Sequence, residues 1–279
     1  MELSHDGDTM HDQSNDPHGM PYVLVPGGWH GGWNFRPITD RLRARGETVC
    51  ELTLSGVGER NHIPAGMVNL NTHIEDVVRV FEQEDLRDAV LCGHSYAGMV
   101  ITGVADRICE RIARIIYIDA YVPANGDSCF TLTTPAFQQA FLDGAQSDGW
   151  GVVPPTGLDP RATPHPIASF LQAISLSGRQ NQVPRRHYVY LSRWNGTPFT
   201  SVYERLRHET QWQVHELPTG HNVMDEAPDD LVAILLNEMS PLEGAGSASH
   251  SALAHGRDRV APSGSRAKGR GSVSPGRRS

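Results

Sequence analysis

The stretch Ala89-Val90-Leu91-Cys92-Gly93-His94-Ser95-Tyr96-Ala97-Gly98-Met99-Val100 decides how the remainder of the chain reads. An apolar run stops at Gly-His-Ser-Tyr-Ala-Gly. Apolar residues then recur with helical spacing at Val100, Ile101, Val104 and Ile108. The pattern is strand, sharp turn and helix, with a serine at the apex. A serine held there presents its hydroxyl beyond the carboxyl edge of a sheet, where the first amides of the helix face any negative charge that forms. Strand and helix nearly touch at such a turn, so small residues are needed on both sides of it. Gly93 and Gly98 meet that need, while Ala97 stands where the G-x-S-x-G pattern has its second glycine. The plainer alternative is an ordinary strand-to-helix turn that contains a serine.

Working outward, Tyr22-Val23-Leu24-Val25 reads as a short buried strand running into Pro26-Gly27-Gly28-Trp29-His30-Gly31-Gly32-Trp33. Four glycines between 27 and 32 allow close backbone approach to a ligand and leave amides unobstructed, which points to an oxyanion-binding loop rather than a merely flexible one. Phe35, Ile38 and Leu42 mark a helix ended by Gly46. Thr48 to Leu54 alternates as a strand. Asn71 or Thr72 is expected to cap a helix whose stripe is Ile74, Val77, Val78 and Phe81. Ile112 to Val122 reads as a strand carrying one acid, Asp119, near its carboxyl end. Residues 123–186 break the rhythm with Pro, Gly and scattered aromatics (Phe130, Phe137, Phe141, Trp150, Phe170) and are expected to form an inserted lid, some of whose aromatics contact substrate. The rhythm resumes with a strand at 187–191, a helix near Phe199–Arg207, a last strand at 213–217 and a closing helix carrying Leu231, Ile234, Leu235 and Met239. The expected fold is α/β: a doubly wound, mainly parallel six-stranded sheet over residues 21–240.

In such a sheet the chemistry gathers at the carboxyl ends of the strands. Gly28, Ser95, Asp119 and His221 are all placed there. A serine needs a base to become a nucleophile, and the base needs an acid to fix its tautomer. His221 lies just past the last strand in a tight Gly-His turn and is the candidate base. The loop after the strand at 187–191, Ser192-Arg193-Trp194-Asn195-Gly196, holds no acid. Asp119 ends the strand next to the nucleophile strand, and a charge in IIYIDAYV needs a reason, so it is the candidate acid. Capping of backbone amides is its alternative role.

Composition narrows the function further. The 279 residues suffice for a large core, and the 38% hydrophobic content is held down by the two ends. Residues 1–20 and 241–279 are expected to be disordered, and His5, His11 and His18 to be solvated rather than metal-bound. From Pro241 onward seven Lys/Arg face two acids, +5, which leaves −13 on the remainder of a chain of net charge −8. That body is unsuited to nucleic acid. Lys268 is the only lysine, so Schiff-base and P-loop chemistry have no residue to use. The four cysteines lack metal spacing and are expected to be inert thiols. With no apolar span of membrane length, a cytoplasmic protein is expected. The bias of Arg over Lys points to a GC-rich bacterial genome and a setting in secondary metabolism.

LVPGGWHGGW, GHSYAG, YIDAYVP and ELPTGHNVMDEAPDDL together resemble the α/β-hydrolase superfamily, in particular the plant methyl esterases and hydroxynitrile lyases with their bacterial relatives. The resemblance implies Ser95 as nucleophile, His221 as base and the amides of Gly28 and Tyr96 as the oxyanion hole. An acid one strand early, as Asp119 would be, resembles some haloalkane dehalogenases and lactone hydrolases; dehalogenases themselves need an aspartate where Ser95 stands. The lyases resemble one another in a threonine at the position of Gly27 and a lysine after the base, where this chain has Asn222, so the esterase pattern fits better. The expectation is a serine hydrolase, free of cofactor and metal, acting on a small ester or lactone. Bond cleavage or cyclisation of lyase type and a non-catalytic ligand-binding protein are the alternatives. No membrane partner is expected, and a homodimer is left open.

Overall fold

Short apolar runs form the strands because each is too brief for a stable helix and rich in β-branched residues. The structure is a computed structural model that describes residues 19–242; the expected disordered arm, with His5, His11 and His18, and the basic tail lie outside the described residues apart from 19–20 and 241–242. The strands are β1 (Tyr22–Val25), β2 (Val49–Glu51), β3 (Ala89–His94), β4 (Ile112–Ile118), β5 (Gly151–Val152), β6 (His165–Pro166), β7 (Arg185–Leu191) and β8 (Trp212–Leu217). Six make one parallel sheet in the order β2-β1-β3-β4-β7-β8, and β5 and β6 pair antiparallel as a separate ribbon. The helices are α1 (Arg36–Ala44), α2 (Leu70–Gln83), α3 (Ala97–Ile108), α4 (Cys129–Leu132), α5 (Pro135–Gly144), α6 (Ile167–Leu171), α7 (Thr200–Leu206), α8 (Val223–Glu226) and α9 (Pro228–Leu235).

Alternation along the strands divides the core in two. Tyr22, Leu24, Val90, Ile116 and Val189 face α1 and α9, which bring Ile38, Leu42, Leu231 and Leu235. Val23, Leu91, Ile115, Tyr188 and Val214 face the other layer, to which α2 and α3 contribute Ile74, Val77, Phe81, Val100 and Val104. Each such side chain, buried, contributes about 1.5–3 kcal/mol. The sheet is therefore doubly wound, as expected.

Several element ends differ from expectation. Asn69, not Asn71 or Thr72, caps α2: its side chain accepts the Thr72 amide while the Thr72 hydroxyl accepts the Asn69 amide. The strand expected from Thr48 to Leu54 is confined to Val49–Glu51, and β4 stops at Ile118 because Asp119 turns into the left-handed region at φ +41°. The closing helix ends at Leu235, short of Met239, with Asn237 at φ +62° beyond it. Cys109 opens the short 3-10 helix, Cys109–Arg111, that directly follows α3, and it is buried.

Register sets the carboxyl edge of the sheet. Val25 pairs with Gly93, His94 with Ile118, Ile118 with Val189 and Leu191 with Leu217. The segments leaving β1, β3, β4 and β8 thus emerge side by side. Between β4 and β7 the chain makes an excursion of short pieces, α4, α5, the β5–β6 ribbon and α6, over this edge. Among the described residues no helix is long and apolar enough to cross a membrane.

Candidate active site

Ser95 sits at φ +56°, a conformation costing a non-glycine residue about 1–2 kcal/mol. Neighbouring backbone holds it there: the Ser95 amide donates to the Ile118 carbonyl at 3.1 Å, and the Ser95 carbonyl accepts from Gly98 at 3.1 Å and Tyr121 at 3.3 Å. The glycines earn their places by proximity. A Cβ on Gly93 would meet the Ile101 side chain at 2.9 Å, and one on Gly27 would lie 3.1 Å from the Ser95 Cβ. Ala97, which departs from the G-x-S-x-G pattern, is fully buried without disturbing the turn, because the closest approach falls one residue later.

Asp119 and His221 meet across 102 positions of sequence, with Oδ2 of the carboxyl 2.7 Å from Nδ1 of the ring. Asp119 is fully buried. Burial pushes its carboxyl well above the usual range, with the Leu191 backbone amide opposing. Burial pushes the His221 ring down, to about 3, so the ring is unprotonated at neutral pH. The 2.7 Å hydrogen bond works against both shifts, since it is strongest between carboxylate and imidazolium. With Nδ1–H donated to Asp119, His221 Nε2 is left as a bare acceptor.

Three aromatic and imidazole neighbours fix the His221 ring. Trp194 lies 4.1 Å from it centroid to centroid, His94 4.3 Å and Phe199 5.7 Å. His94 Nε2–H also donates to the His221 carbonyl at 2.9 Å, tying the turn that carries His221 to the strand that leads into Ser95. Sequence reasoning missed His94, although its place beside Ser95 in Gly-His-Ser was a usable signal. Trp194 comes from the loop after β7, whose sequence shows no acid but does carry this aromatic.

Ser95, Gly28, Tyr96 and His221 border one cavity of about 370 Å³. The Ser95 hydroxyl has no hydrogen-bond partner among the described residues, and neither do the amides of Gly28 and Tyr96. The cavity's far wall is apolar: Phe137, Phe141 and Phe170 from the excursion, Trp194 and Phe199 from beyond β7. Of the aromatics expected there, Phe130 does not reach it, and Trp150 is 56% exposed on the outer surface. A second, larger groove of about 470 Å³ shares His30, His94 and His221 but not Ser95. Its polar wall is closed by an Arg161–Asp159 pair at 2.8 Å with Arg161 over the Trp33 ring at 4.1 Å, and of the two cavities only the smaller is bordered by Ser95. Among the described residues no three His, Cys, Asp or Glu side chains converge as a metal site.

Set against known proteins, residues 22–234 match the alpha/beta hydrolase family. The chain is 36% identical over 231 residues to a carbendazim hydrolyzing esterase of Nocardioides sp. (strain SG-4G), covering 75% of this chain and 96% of that protein. It is 23% identical over 245 residues to putative methylesterase 11, chloroplastic, of Arabidopsis thaliana, covering 77% of this chain and 63% of that one. Among solved structures, an extracellular alpha/beta-hydrolase from a Paenibacillus species, described as sharing structural and functional homology with tobacco Salicylic Acid Binding Protein 2, matches with a TM-score of 0.69 at 21% identity over 78% of this chain and 98% of that chain.

Proposed function

The chain belongs to the alpha/beta hydrolase family, and we propose that it is a serine hydrolase of small carboxylic esters or lactones, working through an acyl-enzyme. Ser95 attacks the carbonyl, His221 takes the proton and returns it to the leaving oxygen, and Asp119 orients His221 and stabilises its cation. The Gly28 and Tyr96 amides receive the oxyanion, each donor lowering the barrier by about 3 kcal/mol. The observation that carries this reading is the Asp119–His221 hydrogen bond of 2.7 Å beside a serine at φ +56° on the wall of an otherwise apolar cavity. Ser95 Oγ is not hydrogen-bonded to His221 here; bonds of this kind commonly tighten only with substrate present.

The esterase and methylesterase names of the relatives support ester hydrolysis. The cavity supports a substrate whose larger group is apolar, of the size of one aromatic ring with a short chain. The test is labelling by a fluorophosphonate together with hydrolysis of p-nitrophenyl butyrate. Wild-type protein should label and turn over, and Ser95→Ala should do neither. Turnover at the wild-type rate in Ser95→Ala would remove the serine mechanism.

A further inference from the structure

Trp29 occupies the left-handed region at φ +67°, a conformation disfavoured for a bulky residue unless its surroundings impose it. All three of its polar groups are tied to the excursion between β4 and β7. Its amide donates to His165 Nδ1 at 3.2 Å, its indole Nε1–H donates to the Val152 carbonyl at 2.9 Å, and its carbonyl accepts from the Thr163 amide at 3.1 Å. Val152 and His165 are paired with each other in the β5–β6 ribbon, so one small unit grips the whole residue.

The gripped residue directly follows Gly28. A glycine has no side chain to hold it, so the direction of its amide depends on where its neighbours are fixed. On one side Gly27 lies against His94 and Ser95, where a Cβ would come within 3.0 and 3.1 Å of them. On the other side stands the clamped Trp29. With both ends held, the Gly28 amide has one orientation.

The tautomer of His165 follows from its own partners. Ser169 Oγ donates to the Pro166 carbonyl at 2.8 Å, so its proton is engaged and it can only accept from His165 Nε2, 2.9 Å away. His165 is therefore the Nε2–H form, with the Nδ1 lone pair turned to the Trp29 amide. His73 makes a matching arrangement behind Tyr96. Its Nε2–H donates to the Ser55 carbonyl at 2.8 Å, which leaves Nδ1 to accept the Tyr96 hydroxyl at 2.9 Å. The two imidazoles are fully buried and meet edge to face at 5.6 Å.

We propose that His165 is a positioning residue that couples the excursion to the oxyanion hole: seated, its Nδ1 holds Trp29 and so aims the Gly28 amide at the reacting oxygen. The inference rests on the reading of Gly28 as an oxyanion donor. His165 does not line the Ser95 cavity, so it acts through Trp29 and not on substrate.

The test compares His165→Leu, which fills the space without an acceptor, with His165→Asn, whose Oδ1 can stand in for Nδ1. Three quantities are read: kcat and KM for p-nitrophenyl butyrate, and Ki for butylboronic acid, whose tetrahedral serine adduct places an oxygen in the hole. Outright loss of an oxyanion donor costs about 10²–10³ in kcat, so a misdirected one should cost His165→Leu about tenfold to a hundredfold. Its boronate affinity should fall in parallel while KM stays within about twofold, and His165→Asn should recover most of both. Ser169→Ala, which frees the tautomer without touching the cavity, should lose several-fold and guards against a leucine variant that does not fold. Unchanged kcat and boronate affinity in a folded His165→Leu, or a loss that His165→Asn does not repair at equal melting temperature, would overturn the proposal. Wild-type turnover in Ser95→Ala would instead overturn the serine reading beneath it, and the two failures are separate measurements.

Discussion

Gly98 packs against the backbone of Tyr121 so closely that a Cβ there would stand 2.0 Å from the Tyr121 carbonyl oxygen and 2.8 Å from its amide nitrogen. The contact joins the first turn of α3 to the segment leaving β4, and so holds the serine turn against the strand that runs into Asp119. No flexible side chain can give way, because both clashing atoms are backbone.

Gly98→Ala should therefore push α3 away from the sheet and lower unfolding stability by about 2–3 kcal/mol, the upper range for overpacking a closed site. Activity should fall with it, since Ser95 and the Tyr96 amide move with the helix. Ala97→Gly, one residue earlier and free of such a contact, should cost only about 0.5–1 kcal/mol through backbone entropy. Urea unfolding of both variants checks the contrast; equal losses would mean that the close approach is not at Gly98.

The role of Asp119 is separable from its structural contacts. Asp119→Asn keeps the shape but loses the charge that, in the proposed mechanism, stabilises the His221 cation and sets the ring's tautomer. In a well-studied serine protease triad that exchange lowers kcat by about 10⁴-fold, and a loss of three to four decades is expected here. Asp225→Asn should cost far less: Asp225 accepts from the Asn222 side chain on the surface and does not contact His221. The measurement is kcat for p-nitrophenyl butyrate alongside thermal melting. A normal kcat with a lowered melting temperature would reduce Asp119 to a backbone support.

Buried histidines make stability fall in acid. Burial lowers His73 and His215 to about 4 and His187 to about 3, with the Arg114 charge adding to the effect on the last two. The unfolded chain takes up these protons near pH 6.5, before the folded protein does. Stability is thus fully present above about pH 6.5 and is lost progressively as pH falls towards 4. Urea midpoints should decline steeply between pH 7 and pH 4.5. The slope should be shallower in the double variant His187→Gln/His215→Gln, which removes the stacked pair whose nitrogens lie 3.3 Å apart. Parallel slopes would assign the acid sensitivity to other groups.

Local rules make much of this protein legible in its sequence. The serine turn reads from a dozen consecutive residues because its geometry depends on neighbours in sequence: an apolar strand, small residues at the bend and an apolar helical stripe. The six strands and the helices between them read from periodicity for the same reason. Asp119 is legible as an anomaly, a charge directly after the apolar run of β4 that demands a partner. His221 was legible from its place after the last strand.

What the tertiary structure alone decided lies where partners are far apart or elements are too short to carry a period. The hydrogen bond from Trp29 to His165 spans 136 positions and that from His94 to His221 spans 127, and no local pattern announces either pair. The excursion between β4 and β7 is built of pieces from two to ten residues long. Most pieces of that length are not stable alone; they persist because they bury Phe141, Val152 and Phe170 against Trp29 and the sheet's edge. Periodicity can report which face of an element is apolar, but not what that face will meet. The partners of Trp29 are therefore a property of the folded chain, and so is the wall of the cavity before Ser95.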